Sequence, residues 1–187
     1  MAKYELTDET KVVYGVTLHR IRALTAIGLT VAAGQLGGWV ESEKNLDLSG
    51  NAWVSGDAWV SGNAQVFGDA RVSGNAWVFG DARVSGDARV SGNAWVFGDA
   101  WVSKTRHYLL IGPVGSEDRT VTICRTKTNG VTGHYINAGC WTGTVDQLAE
   151  RITTAWPDLS EKKRARYRGE YEAVIALARP RIERWVK

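Results

Sequence analysis

From Leu48 to Val102 the apolar and polar positions recur every six residues with almost no variation. The hexad reads small-x-aliphatic, as in Ala52-Trp53-Val54, followed by Ser or Phe, Gly, and Asn or Asp. Within each triplet the alternation has the period of a strand, so Ala and Val point one way and the residue between them the other. Gly followed by Asn or Asp supplies residues tolerant of positive φ, which a sharp corner requires. Each hexad is therefore predicted to be one short strand and one corner. Val54, Val60, Val66, Val72, Val78, Val84, Val90 and Val96 should stack inside, with Ala52, Ala58, Ala64 and their successors beside them. Self-similarity at so short a fixed period marks a solenoid.

These hexads resemble the hexapeptide-repeat left-handed β-helix, in which three hexads complete a triangular coil. The handedness and the count of three are what the resemblance implies. The outward residues supply a check on the count. At a spacing of eighteen, Trp59, Trp77 and Trp95 fall in one column, with Phe79 and Phe97 beside them. Four hexads per coil would also align Trp53, Trp77 and Trp101, but would scatter the phenylalanines.

Residues 3–25 read as strands, Tyr4 to Thr7 and then Lys11 to Ala23, before Gly28, Gly34, Gly37 and Gly38 break the pattern. A solenoid end exposes strand edges and an open core, so residues 1–47 are expected to form an N-terminal β cap. Lys3-Tyr4-Glu5-Leu6, the Leu18-to-Leu24 segment, Gly37-Gly38-Trp39-Val40-Glu41, Asn45-Leu46 and Ala52-Trp53-Val54 look like the N-terminal pattern of phage and prophage hexapeptide-repeat proteins. Such proteins are described as polymer-forming or transferase-like. The resemblance implies a phage or prophage origin and no established activity.

After Val102 the composition changes, and residues 104–187 are expected to form a small α/β unit of order β-β-β-α-α. His107 to Gly112, Thr120 to Arg125 and Val131 to Ile136 read as strands. Thr144 with Gln147 is a capping box that should open a helix reaching about Trp156. A second helix should begin near Asp158 and Glu161 and end at about Ala178, ahead of Pro180. The fold class expected for the whole chain is mainly β. It comprises a cap, a short left-handed parallel β-helix over residues 48–103, and the C-terminal α/β unit.

Composition adds mainly exclusions. No apolar run approaches the length of a membrane span, and the chain does not open with a basic-then-apolar signal segment. The expectation is a soluble, cytoplasmic protein, in the host cytoplasm if phage-encoded. Cys124 and Cys140 make no disulfide framework or zinc spacing, so neither a metal nor a cofactor is expected. Charge is uneven: residues 160–187 hold nine Lys/Arg against four Asp/Glu, and the hexads three against five. Corner residues form columns, such as Asn51, Asp69, Asp87 and Asn63, Asp81, Asp99, in which stacked carboxylates need solvation or a cation. Corner chemistry and solubility are the preferred reading over calcium.

Acyl transfer is the obvious enzymatic alternative, because many hexapeptide proteins use a histidine general base and a loop extruded between hexads. Here Leu48 to Val102 contain no histidine and no insertion, while His19, His107 and His134 lie outside. Cys140, between a glycine and a helix start, has His134 nearby in sequence but no evident third group, and reads as a packed free thiol. The Gly112 to Ser116 turn is read as a hairpin. No catalytic residue is assigned.

The strongest functional signal is the outward aromatic face of Trp59, Trp77, Trp95, Phe79 and Phe97. Each ring carries roughly 150–250 Å², together more than a soluble monomer ordinarily leaves wet. This face is expected to be an oligomer interface, with a homotrimer favoured. Lys162, Lys163, Arg164, Arg166 and Arg168 cluster where cations oppose the helix dipole, and are the candidate partner-binding residues. The expected function is a non-enzymatic phage-derived interaction protein that binds a host protein or sequesters a small ligand, with counter-defence as one setting. The alternatives are an acyltransferase-like enzyme and a structural, polymer-forming protein. Nucleic-acid binding through the basic helix ranks lower, since no base-reading motif accompanies it.

Overall fold

The computed structural model of the chain describes residues 2–186. It divides into two units, one ending at His107 and one beginning at Tyr108.

The first unit is a parallel β-solenoid of about four turns under an antiparallel hairpin. The hairpin comprises β1 (Tyr4–Val13) and β2 (Val16–Ala23), and β3 (Leu36–Val40) follows. The nine two-residue strands of the hexads are β4 (Trp53–Val54), β5 (Trp59–Val60), β6 (Gln65–Val66), β7 (Arg71–Val72), β8 (Trp77–Val78), β9 (Arg83–Val84), β10 (Arg89–Val90), β11 (Trp95–Val96) and β12 (Trp101–Val102). They pair in parallel with their partners eighteen residues on, as Val54 with Val72 and Val60 with Val78. Three hexads per coil is thus the observed geometry, and the inward Ala and Val column is fully buried. The corners are glycines at positive φ, such as Gly74 at +69°, where an added Cβ would lie 2.9 Å from the Gly92 nitrogen of the next coil. Corner amides answer the expected carboxylate crowding: Asn51 Nδ2 donates to Asp69 Oδ1 at 2.8 Å, and Asn63 Nδ2 to Asp81 Oδ1 at 3.0 Å.

The inward column starts earlier than the regular hexads. Val40 pairs with Val60 and Leu46 with Val66, both twenty residues on, and both are fully buried. The two extra residues fall between Leu46 and Val54, where the chain leaves the hexad rhythm. Gly37 and Gly38 let β3 lie directly on the following coil. A Cβ at Gly37 would sit 2.6 Å from the Trp53 ring, and one at Gly38 2.6 Å from the Ala58 carbonyl.

One expectation for the cap changes. Lys11 to Ala23 is not one strand: Tyr14 (φ +49°) and Gly15 (φ +79°) turn the chain back, and Val13 pairs with Val16. The hairpin then folds over the outer face of the solenoid.

Bonds between coils run in both directions. The Trp53 N–H donates to the Ala70 carbonyl of the next coil at 3.0 Å, and the parallel pairing of Trp53 with Arg71 and of Val54 with Val72 sets the Val72 N–H on the Trp53 carbonyl. At the leading edge several carbonyls are met by side-chain donors. Lys3 Nζ donates to the carbonyls of Ser49 (3.0 Å), Gly50 (3.3 Å) and Ala52 (3.0 Å). Asn45 Nδ2 donates to those of Gly62 (3.0 Å) and Ala64 (2.9 Å). At the trailing edge two N–H groups are met by side-chain acceptors. Thr105 Oγ1 accepts from the Arg89 N–H at 3.0 Å, and His107 Nδ1 from the Ser103 N–H at 3.3 Å. Because a buried backbone group must find a partner, these side chains stand in for strand partners at the two ends.

The second unit is an antiparallel meander, β13 (Tyr108–Val114), β14 (Arg119–Thr128), β15 (Val131–Ala138) and β16 (Trp141–Gly143), followed by α1 (Val145–Thr154) and α2 (Glu161–Val186). The capping box is present: Thr144 Oγ1 accepts from the Gln147 N–H, and Gln147 Oε1 from that of Thr144 at 2.8 Å. Two details differ from the sequence expectation. A fourth strand, β16, closes the meander; three residues are too few to show a period. The last helix does not stop before Pro180 but continues to Val186, because Ile182 and Trp185 are buried with Val174, Ile175 and Ala178 in one core. That packing outweighs the loss of one helical hydrogen bond at proline.

Candidate functional site

The aromatic face lies on the sheet formed by β3, β5, β8 and β11. The parallel register places Trp39, Trp59, Trp77 and Trp95 directly above one another. Trp77 stacks on Trp95 at 4.6 Å between centroids and 17° between planes, and Phe79 on Phe97 at 5.0 Å and 9°. Phe79 also meets the edge of Trp95 at 6.4 Å, so the rings form one continuous ladder. Aromatic contacts of this geometry contribute about 0.5–1.5 kcal/mol each beyond area burial.

The face is not uniformly wet, which corrects one expectation. The chain's own hairpin covers its leading half: Leu18 packs with Trp39 and Trp59 in a buried cluster, and Val13, Val16 and Trp77 lie against it. Trp59 is only 5% exposed, so it is a core residue of this unit. Lys11 Nζ sits 4.3 Å above the Trp39 ring, screening it further. The covering strand ends at Tyr14, whose ring meets Trp77 edge-on at 5.5 Å while remaining 80% exposed. Beyond that point Trp77, Phe79, Trp95 and Phe97 are half-buried. The hairpin was hard to foresee as a cover, because its apolar residues alternate on both faces. Val13, Val16 and Leu18 were legible as strand positions, but what they pack on was not.

The five basic residues near the start of α2 do not form a single free patch. Arg166 Nε bonds Glu170 Oε1 at 3.0 Å, an i,i+4 ion pair. Glu170 in turn accepts the Gly115 N–H at 2.8 Å, and that bond, with Arg166 second, holds its carboxyl below the usual carboxylate range. Arg168 donates to the carbonyls of Ile152 (3.3 Å) and Thr153 (3.0 Å), closing the C-terminus of α1. Lys162 and Lys163 are exposed and Arg164 half-exposed.

The three histidines occupy separate places. His107 is buried at the trailing edge of the solenoid, and His19 lies in β2 opposite Val40. His134 Nε2 accepts the Val145 N–H at 3.0 Å, and burial pulls the imidazole below its ordinary value. Cys124 is buried and its thiol pushed up to about 12 by that burial, whereas Cys140 is exposed. Among the described residues no group of three His, Cys, Asp or Glu is placed to hold a metal ion. No helix among them is long and apolar enough to cross a membrane.

Comparison with known proteins bears on the solenoid alone. Residues 64–80, 82–98 and 88–104 match the sequence model of the YdcK beta solenoid repeat. No curated protein sequence matches the chain.

Proposed function

This repeat β-solenoid protein is, we propose, a non-enzymatic interaction protein of the phage hexapeptide-repeat kind, which self-associates through its aromatic ladder. A closed homotrimer is the assembly favoured, since one apolar face per copy suits cyclic symmetry. Such a rigid assembly would carry several copies of the C-terminal unit to a host protein or hold a small ligand.

One observation carries the reading. The ladder is continuous from Trp39 to Trp95, and the hairpin seats on its leading part; Trp77, Phe79, Trp95 and Phe97 are half-buried, and Trp77 meets the exposed Tyr14. Four adjacent aromatic side chains in register on one face are more than scattered surface residues produce. A second copy is the fitting occupant because the hairpin already supplies, within each chain, the kind of apolar strand that seats on these rings.

Solution mass tests the proposal directly. The native protein is expected at three times the chain mass, and Trp95→Asp at the mass of a single chain with its β-sheet circular dichroism unchanged. A native protein that is monomeric at tens of micromolar would overturn it.

A further inference from the structure

The C-terminal unit contains a cavity of about 390 Å³ that none of the preceding argument uses. It opens where the β13–β14 turn, the β15–β16 turn and the end of α1 meet. Its floor is apolar, with Val114, Leu148 and Ile152 in the core of the unit. Its walls are aromatic: Trp141, Trp156 and Tyr171. This combination of apolar floor and a few convergent polar groups is the usual form of a small-molecule site, and the volume lies at the low end for such sites.

The charges at the rim can be counted. Arg119 is paired with Glu117 at 2.7 Å, so these two cancel. Arg151 lies 5.8 Å over the Trp141 ring and forms no ion pair among the described residues. One cation is therefore left over. The Tyr171 hydroxyl likewise has no hydrogen-bond partner among the described residues.

Backbone strain points to the same place. Trp156 has φ +58°, a conformation that a bulky side chain rarely adopts. Such an outlier costs of order 1–3 kcal/mol and clusters at binding sites. Here it stacks the Trp156 ring on Tyr171, with centroids 5.7 Å apart and planes 27° apart, and leaves the indole half-buried on the cavity wall.

We propose that this cavity binds a small flat molecule, one or two aromatic rings in size, that carries a single acidic group. The ring lies among Trp141, Trp156 and Tyr171, and the acid meets Arg151, with the Tyr171 hydroxyl as a second donor. The site is complete within one chain and does not depend on the assembly state.

Titration of the full-length protein by NMR, with indole-3-acetate, neutral indole-3-acetamide and adenosine monophosphate as probes, tests this. Indole-3-acetate should shift the indole N–H signals of Trp141 and Trp156 with saturation below millimolar concentration, and the amide should bind at least fivefold more weakly. Arg151→Gln, an exposed change that leaves the core intact, should weaken the acid about tenfold by removing a charge-assisted contact and leave the amide unchanged. Tighter binding of adenosine monophosphate than of the carboxylate, lost in the same variant, would also support the site and identify its acid as a phosphate. Equal affinity for acid and amide, indifference to Arg151→Gln, shifts confined to the solenoid tryptophans, or no saturation by any probe would each overturn it.

Discussion

Lys3 Nζ lies 3.0 Å from the carbonyl oxygen of Ala52, across a sequence separation of 49 residues. A single ammonium thereby serves three carbonyls of a hexad that has no strand stacked before it.

Replacing that group with a methyl should be felt twice. Lys3→Met removes donors from three carbonyls, and an orphaned buried group costs about 1–3 kcal/mol, so the urea midpoint should fall. Burial draws the Lys3 ammonium down to about 8 from its ordinary 10.5. Between those values the unfolded chain holds a proton that the folded chain has released, so this group makes the fold more resistant as pH climbs from about 8 to 10.5. Denaturation at pH 7.5, 9 and 10.5 should show that rise in the native protein and a smaller one in Lys3→Met.

The His134–Val145 contact gives a second pH dependence, at the acid end. Nε2 must be unprotonated to accept the N–H at the start of α1, and a positive ring there would oppose the helix dipole. With its folded value lowered by burial, His134 binds its proton less readily in the native state. Stability from this group is therefore present above the ordinary imidazole value of about 6.5 and is lost as pH falls below it. In His134→Gln the difference in Tm between pH 7.5 and pH 5.5 should shrink.

Two glycines in the C-terminal unit separate backbone strain from crowding. Gly115 (φ +78°) would place a Cβ 2.8 Å from the Tyr171 ring, whereas Gly130 (φ +83°) has nothing within 4 Å. Gly130→Ala should lose only the positive-φ preference, about 1 kcal/mol. Gly115→Ala should lose more, about 2–4 kcal/mol, and should alter the Tyr171 signal in near-ultraviolet circular dichroism.

Pro180 sits on the exposed side of α2 with helix on both sides. Its ring leaves the carbonyl four residues earlier without a helical donor. Pro180→Ala should raise stability by about 1–3 kcal/mol, measurable as a higher urea midpoint, and should leave solution mass unchanged.

The hexads announce themselves because Ala and Val repeat every six residues, and the columns Trp59–Trp77–Trp95 and Phe79–Phe97 point to three hexads per coil. The capping box at Thr144 and Gln147 was equally plain, being a local signal. What stayed hidden was set by distant parts of the chain. Nothing near Lys3 or Asn45 marks either as a partner for coil carbonyls, since their acceptors lie 46–49 and 17–19 residues away. Trp59 has the same outward position as Trp95 and differs only in lying under Leu18. Arg168 looked like a partner-binding cation because the carbonyls it closes belong to the preceding helix.

Since every coil receives from the one before it the same bonds that it passes on, neither terminal fitting depends on how many coils stand between them. Adding or deleting one eighteen-residue block would leave Lys3, Asn45, Thr105 and His107 with unchanged work and move the two fittings apart or together by about 4.8 Å. The molecule is in effect a ruler graduated in single coils, whose length can be reset without redesigning its ends.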